Sequence, residues 1–182
     1  LNLNNGTPCY NAGTIDFEGT LNANGCIFYN AGTIDVDQFI CTSTGIVTNY
    51  GTITAKNNKD AADAYNCKIV NACYMHFTEH AGIGQLFMLP SSRLDVDGYC
   101  EFSQSWQDFN NVHSPNILCN NSVVNVQTAY VTNTMFQGPM NSGEFAIVKM
   151  NNVQVGNGDD IHQSMNCYFD WDITEVYNKY GG

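Results

Sequence analysis

A chain of 182 residues with 43% hydrophobic side chains has the length of one ordinary domain and enough apolar material for a core, which excludes a disordered chain. The formal charge of -11, with five lysines and the single arginine Arg93, excludes nucleic acid as a partner and disfavours anionic membranes, because phosphate neutralisation needs clustered Lys and Arg. No run of about 18 apolar residues occurs, so no transmembrane segment is expected, and "LNLNNGTPCY" lacks a charged n-region and an apolar h-region.

The first elements in the chain announce a repeat. "YNAGTID" at Tyr10 to Asp16 returns at Tyr29 to Asp35, and "TNYGTIT" follows at Thr48 to Thr54, so that Gly13, Gly32 and Gly51 are each 19 residues apart. With three extra residues near Asn57 to Tyr65, "VNACYMHF" fits the same template, with Cys73 at the glycine position and Met75 at the isoleucine. A further step of 19 reaches Ser92 and Leu94 in "PSSRLDVDG", and a step of 30 reaches Ser122 and Val124 in "CNNSVVNV".

The alignment creates two wholly apolar columns: Ile15, Ile34, Ile53, Met75, Leu94, Val124, and Phe17, Val36, Ala55, Phe77, Val96, Val126. A third is expected upstream of the glycine, from Cys9, Phe28, Val47, Ile69, Met88 and Leu118. Asn11, Asn30, Asn49, Asn71, Pro90 and Asn120 would then occupy the turn. Each repeat reads turn, strand, turn, strand, with side chains alternating in and out at period two. A unit this short buries no apolar face alone, whereas coils stacked about 4.8 Å apart bury a continuous core. The expected fold is all-β, a single right-handed parallel β-helix of about 19-residue coils with asparagines laddered from coil to coil. Abundant asparagine, 25 residues, together with Gly, Thr and Ser, suits turns and strands better than long helices.

One domain is expected over 1–182, belonging to a larger protein. Regular coils span about 4–126, an insertion loop about 102–115, and atypical closing strands about 127–182, as terminal capping repeats are often irregular. None of seven cysteines compared, Cys9, Cys26, Cys41, Cys67, Cys73, Cys100 and Cys119, shares a column with another in a neighbouring coil. Most are therefore expected as buried thiols, with diagonal or loop pairs left open.

"HFTEH", His76 to His80, matches the H-x-x-E-H signature of zinc proteases, which needs both histidines and Glu79 on one helix face. The columns make this segment a strand, on which His76 and His80 stand about 13 Å apart, too far to share one ion. No zinc is expected. Outward residues offer two other sites. Asp16, Glu18, Asp35 and Asp37 gather on the face of the first two coils, where a weak calcium site competes with an ordinary acidic face relieved by Lys56. Arg93, Asp95 and Asp97 form a triplet of the kind that β-helix polysaccharide lyases and glycosidases use, and an ion-paired surface row explains them equally well. Trp106 and Phe109, in the insertion loop, are the expected partner contact.

The run "YNAGTIDFEGTLNANGCIFYNAGTIDVDQF" with "TNYGTITAKN", "VNACYMHF", "SSRLDVDG" and "NNSVVNVQ" resembles the repeat region of LruC-domain-containing surface proteins of Bacteroidetes, over about Asn4 to Val155. The resemblance implies a secreted or cell-surface, non-enzymatic structural or binding module, adhesin-like, with a glycan or surface protein as partner. It carries over no catalytic residue. The rival expectation is a carbohydrate-active enzyme using Arg93, Asp95 and Asp97.

Overall fold

The computed structural model describes residues 1–3, 6–41, 45–58, 67–103, 117–132, 134–139, 146–155, 161–163 and 167–171. Among them there is no helix, and sixteen strands alternate between two parallel sheets. The odd strands are β1(Cys9–Asn11), β3(Ile27–Asn30), β5(Ile46–Asn49), β7(Lys68–Asn71), β9(Gln85–Met88), β11(Ile117–Cys119), β13(Thr134–Gln137) and β15(Ile161–Gln163). The even strands are β2(Thr14–Asn22), β4(Thr33–Ile40), β6(Thr52–Asn57), β8(Tyr74–Ile83), β10(Arg93–Ser103), β12(Val123–Thr132), β14(Ala146–Val155) and β16(Cys167–Trp171). Each sheet runs in coil order, so the chain is a parallel β-solenoid.

The two downstream columns are those read from the repeat. Ile15, Ile34, Ile53, Met75, Leu94 and Val124 pair in unbroken succession, and so do Phe17, Val36, Ala55, Phe77, Val96 and Val126. Except at the first coil, their members are buried. Removing each large side chain from water stabilises the fold by about 1.5–3 kcal/mol. Among the described residues after 127, the even strands keep these two columns: Val124 pairs with Val148 and that with Phe169, while Val126 pairs with Met150 and that with Trp171. Much of the closing region expected to be irregular lies outside the described residues.

The third column needs correction. Ile69 pairs with Leu86, and Leu86 with Ile117, so Met88 and Leu118 are not its members. Asn71 to Tyr74 spans three residues, but Met88 to Arg93 spans five. The longer turn displaces the upstream strand, and Ser91 adopts φ 67° within it. Consequently the ladder does not reach Pro90 or Asn120. Asn11, Asn30, Asn49 and Asn71 pair in register, after which Met88 and Cys119 take the position.

Even strands bend outward partway along. Glu18 and Gly19 on β2 stand opposite the single Asp37 on β4, and two residues on β8, Thr78 and Glu79, stand opposite Lys56 on β6. These bulges shift the alternation, so that Val36 and Phe39 both point inward. A further buried column follows the bend, made by Leu21 on Phe39 in the first coils and by Ala81, Cys100, Ala129 and Val153 later. Between these two runs lies the buried Asn58, which donates Nδ2 to the Gly82 carbonyl at 3.0 Å and accepts the Gly82 N–H at 2.6 Å.

Cysteine pairing also differs from the column argument. Cys41 and Cys67 are joined, with Cα atoms 5.7 Å apart. Both lie at the corner between an even strand and the next odd one, where in-register columns give no guide. Cys26 and Cys100 are buried free thiols, as expected, and Cys119 is buried too, whereas Cys73 is exposed. Burial pushes the Cys100 thiol well up, and burial together with the neighbouring Cys9 raises that of Cys26.

Candidate functional site

The outward face of the even strands carries the polar chemistry. One column reads Asp16, Asp35, Thr54, His76, Asp95, Asn125, Lys149. The acidic patch and the arginine triplet, which look separate in the sequence, therefore occupy one continuous face.

At its centre, Arg93 directs Nε at both Asp95 oxygens, 2.9 Å from Oδ1 and 2.7 Å from Oδ2. Asn125, one coil on, donates Nδ2 to Oδ1 at 3.2 Å. Tyr74, one coil back, brings its phenol to the same carboxylate and helps hold it ionised. Although it faces out from the sheet, Asp95 is only 7% exposed beneath these neighbours. Burial alone would raise its carboxyl, but the hydrogen bonds from Arg93, Asn125 and Tyr74 outweigh it and hold the group below the usual carboxylate range. Its acceptor sites are consumed by structure. Asp97, the exposed third member, meets His76 Nε2 with Oδ2 at 2.8 Å.

A glycosidase needs one carboxylic acid held protonated opposite a second carboxylate, and a lyase needs a free base near the sugar. Asp95 is held ionised and saturated, and Asp97 is engaged by His76. The structure brings Arg93 and Asp95 together, and it sets Asp97 in a separate pair.

Asp16, Glu18, Asp35 and Asp37 line one open groove of about 280 Å³ with Thr54 and Lys56. Lys56 Nζ reaches Asp37 Oδ1 at 2.7 Å, and this hydrogen bond lowers the Asp37 carboxyl and raises the ammonium. The carboxylates form a row along the solenoid. Among the described residues no three His, Cys, Asp or Glu side chains are grouped so as to hold a metal ion. His76 and His80 both lie on β8, a strand as expected. The His80 ring packs edge-on to Tyr99 at 5.1 Å, a contact unrelated to His76. Trp106 and Phe109 lie outside the described residues.

Sequence reading missed the outer face of the odd strands. Tyr10, Tyr29, Thr48, Val70, Phe87 and Leu118 form an outward column there, flanked by Ile27, Ile46, Lys68 and Gln85. Tyr10 and Tyr29 stack at 5.0 Å with rings 9° apart, and Lys68 Nζ sits 4.5 Å over the Phe87 ring. The signal was present one residue after the inward column, as an apolar outer position. Stacking along the axis turns the two tyrosine faces toward each other and their edges to solvent, which is unlike a flat sugar platform.

No helix among the described residues is long and apolar enough to cross a membrane. No protein-family model, curated protein or solved structure matches this chain.

Proposed function

We propose that this solenoid is a non-enzymatic extracellular structural and binding module of a bacterial surface protein. The observation that carries the reading is the commitment of Asp95 to Arg93, Tyr74 and Asn125 on three successive coils. Outward polar groups are spent on one another along the axis: Lys56 on Asp37, His76 on Asp97, Thr20 on Gln38 at 2.7 Å, Asn151 on Gln127 at 2.7 Å. Such pairing stiffens a rod.

The Cys41–Cys67 bond supports an oxidising compartment, in keeping with a secreted or surface location. The resemblance to LruC-type repeat regions points the same way. For partner contact, the odd-strand face is the more apolar of the two outer faces, and a surface protein or glycan is the partner class.

The test is retention of the labelled chain on arrays of glycans and bacterial surface proteins, compared with Phe87→Ser and Asp97→Asn. Retention lost with Phe87→Ser and kept with Asp97→Asn supports the reading. Retention lost only with Asp97→Asn moves recognition to the even-strand face and favours the alternative, a carbohydrate-active enzyme.

A further inference from the structure

The first coil carries features that its own contacts do not require. In the second coil a Cβ on Gly32 would lie 1.9 Å from the Gly13 carbonyl oxygen, and in the third a Cβ on Gly51 would lie 2.0 Å from that of Gly32. Glycine is needed at each turn because the preceding turn's carbonyl packs against it. Cys73, at the same position one coil later, shows the cost of a side chain: the Tyr74 N–H to Gly51 bond is 3.2 Å, against 2.9 and 3.0 Å at Thr33 and Thr52. The Cys73 N–H stands 3.4 Å from Asn71 Oδ1, against 3.1 Å for Gly13 on Asn11 and 3.2 Å for Gly32 on Asn30. Gly13 belongs to a complete Asn-x-Gly-Thr turn, yet nothing lies within 4 Å of where its Cβ would be.

Three further observations concern the same edge. Ile15 and Phe17 are half-buried where their column partners Ile34 and Val36 are 0% and 5% exposed. Ala31 and Thr33 donate their N–H groups to Asn11 and Gly13, and by the same geometry Ala12 and Thr14 address the outer edge, where no described carbonyl accepts them. Residues 1–3 already lie in that outer layer. Asn2 pairs parallel with Asn22, Leu3 N–H donates to the Asn22 carbonyl at 2.8 Å, and Asn22 N–H to that of Leu1 at 2.8 Å. The register continues the strand stacking of β2 on β4 in the same parallel sense.

We propose that the N-terminal face, formed by β1 and β2, is the seat of one further Asn-x-Gly-Thr coil, whose second strand runs parallel to β2. Its turn carbonyl would pack on Gly13, its asparagine would extend the amide ladder beyond Asn11, and its apolar pair would cover Ile15 and Phe17. Unpaired parallel edges of this kind are templates for strand addition. A self-complementary dimer is a poorer occupant, since two such faces related by a two-fold would pair antiparallel and set the carbonyls out of phase with Gly13.

The experiment compares the chain as it stands with one bearing a copy of residues 23–38 fused directly ahead of Leu1, which places the copied Gly32 nineteen residues before Gly13. Each is made with Gly13 and with Gly13→Ala. The extension should raise the melting temperature by roughly 5 °C, and Gly13→Ala should abolish that gain while leaving the unextended chain unchanged. Hydrogen exchange at Thr14, Ile15, Asp16 and Phe17 should slow only in the extended chain. The proposal is overturned by an extension that does not stabilise or does not fold, by equal effects of Gly13→Ala in both backgrounds, or by concentration-dependent protection of those amides in the unextended chain, which would identify a second copy as the occupant.

Discussion

Asn30 donates its side-chain amide to Oδ1 of Asn49 at 2.8 Å, and Asn49 passes the same bond to Asn71 at 2.9 Å. Each amide also serves the backbone: Asn49 Nδ2 reaches the Tyr74 carbonyl at 2.9 Å, and its Oδ1 accepts the Gly51 N–H at 3.2 Å. Asn49 is fully buried, so Asn49→Ala strands several polar groups away from water. Each such group costs about 1–3 kcal/mol. Denaturant unfolding should show Asn49→Ala destabilised by about 3 kcal/mol, and Asn11→Ala, at the ladder's end, by clearly less.

Phe77 sits between Ala55 and Val96 with no exposed surface. Phe77→Ala should cost about 3–5 kcal/mol, through lost burial and the cavity it leaves. Phe17→Ala, in the same column on the half-covered first coil, should cost less than half as much in the same urea series.

Those columns were legible because Thr-Ile-x-Phe and Thr-Ile-x-Val recur at a fixed step next to an Asn-x-Gly turn, and a 19-residue recurrence has no other economical physical reading. The slip at Met88 was not. Moving from Leu86 to Met88 shifts by two residues and preserves the in-out alternation, so a polar-apolar pattern cannot detect it; only the length of the Met88 to Arg93 turn, a tertiary accommodation, sets it. The column of Leu21 and Phe39 escaped because a bulge at Asp37 breaks period two. Asp95 was legible as outward but not as covered, since Tyr74 and Asn125 arrive from other coils, one of them 30 residues away.

The Cys41–Cys67 bond closes a span of 26 residues. On chain-entropy grounds its removal by Cys41→Ser with Cys67→Ser should destabilise the solenoid by about 3 kcal/mol. Peptide mapping of oxidised protein should recover Cys41 and Cys67 in one linked pair. Recovery of both as alkylated thiols, with no change in stability for the double variant, would contradict the pairing.

Asp95 also predicts a pH response. Its folded-state acidity lies below the ordinary value of about 3.9, so it contributes stability that is fully present above about pH 4 and is lost as pH falls through the lower folded-state value. Urea midpoints between pH 5 and pH 2 should fall more steeply for the native chain than for Asp95→Asn, which lacks this contribution. Parallel curves would remove Asp95 from the account.

On the function proposed above, the Arg93, Asp95 and Asp97 row is structural and not catalytic. The most direct measurement of this pairs the melting temperature with product formation from acidic and neutral polysaccharides, for the native chain and for Asp95→Asn at pH 7. The account predicts a melting temperature lowered by at least about 3 °C, equivalent to about 1 kcal/mol of lost pairing, and no reducing ends or unsaturated products from either protein. Product from the native chain that disappears in an Asp95→Asn variant of unchanged melting temperature would contradict it.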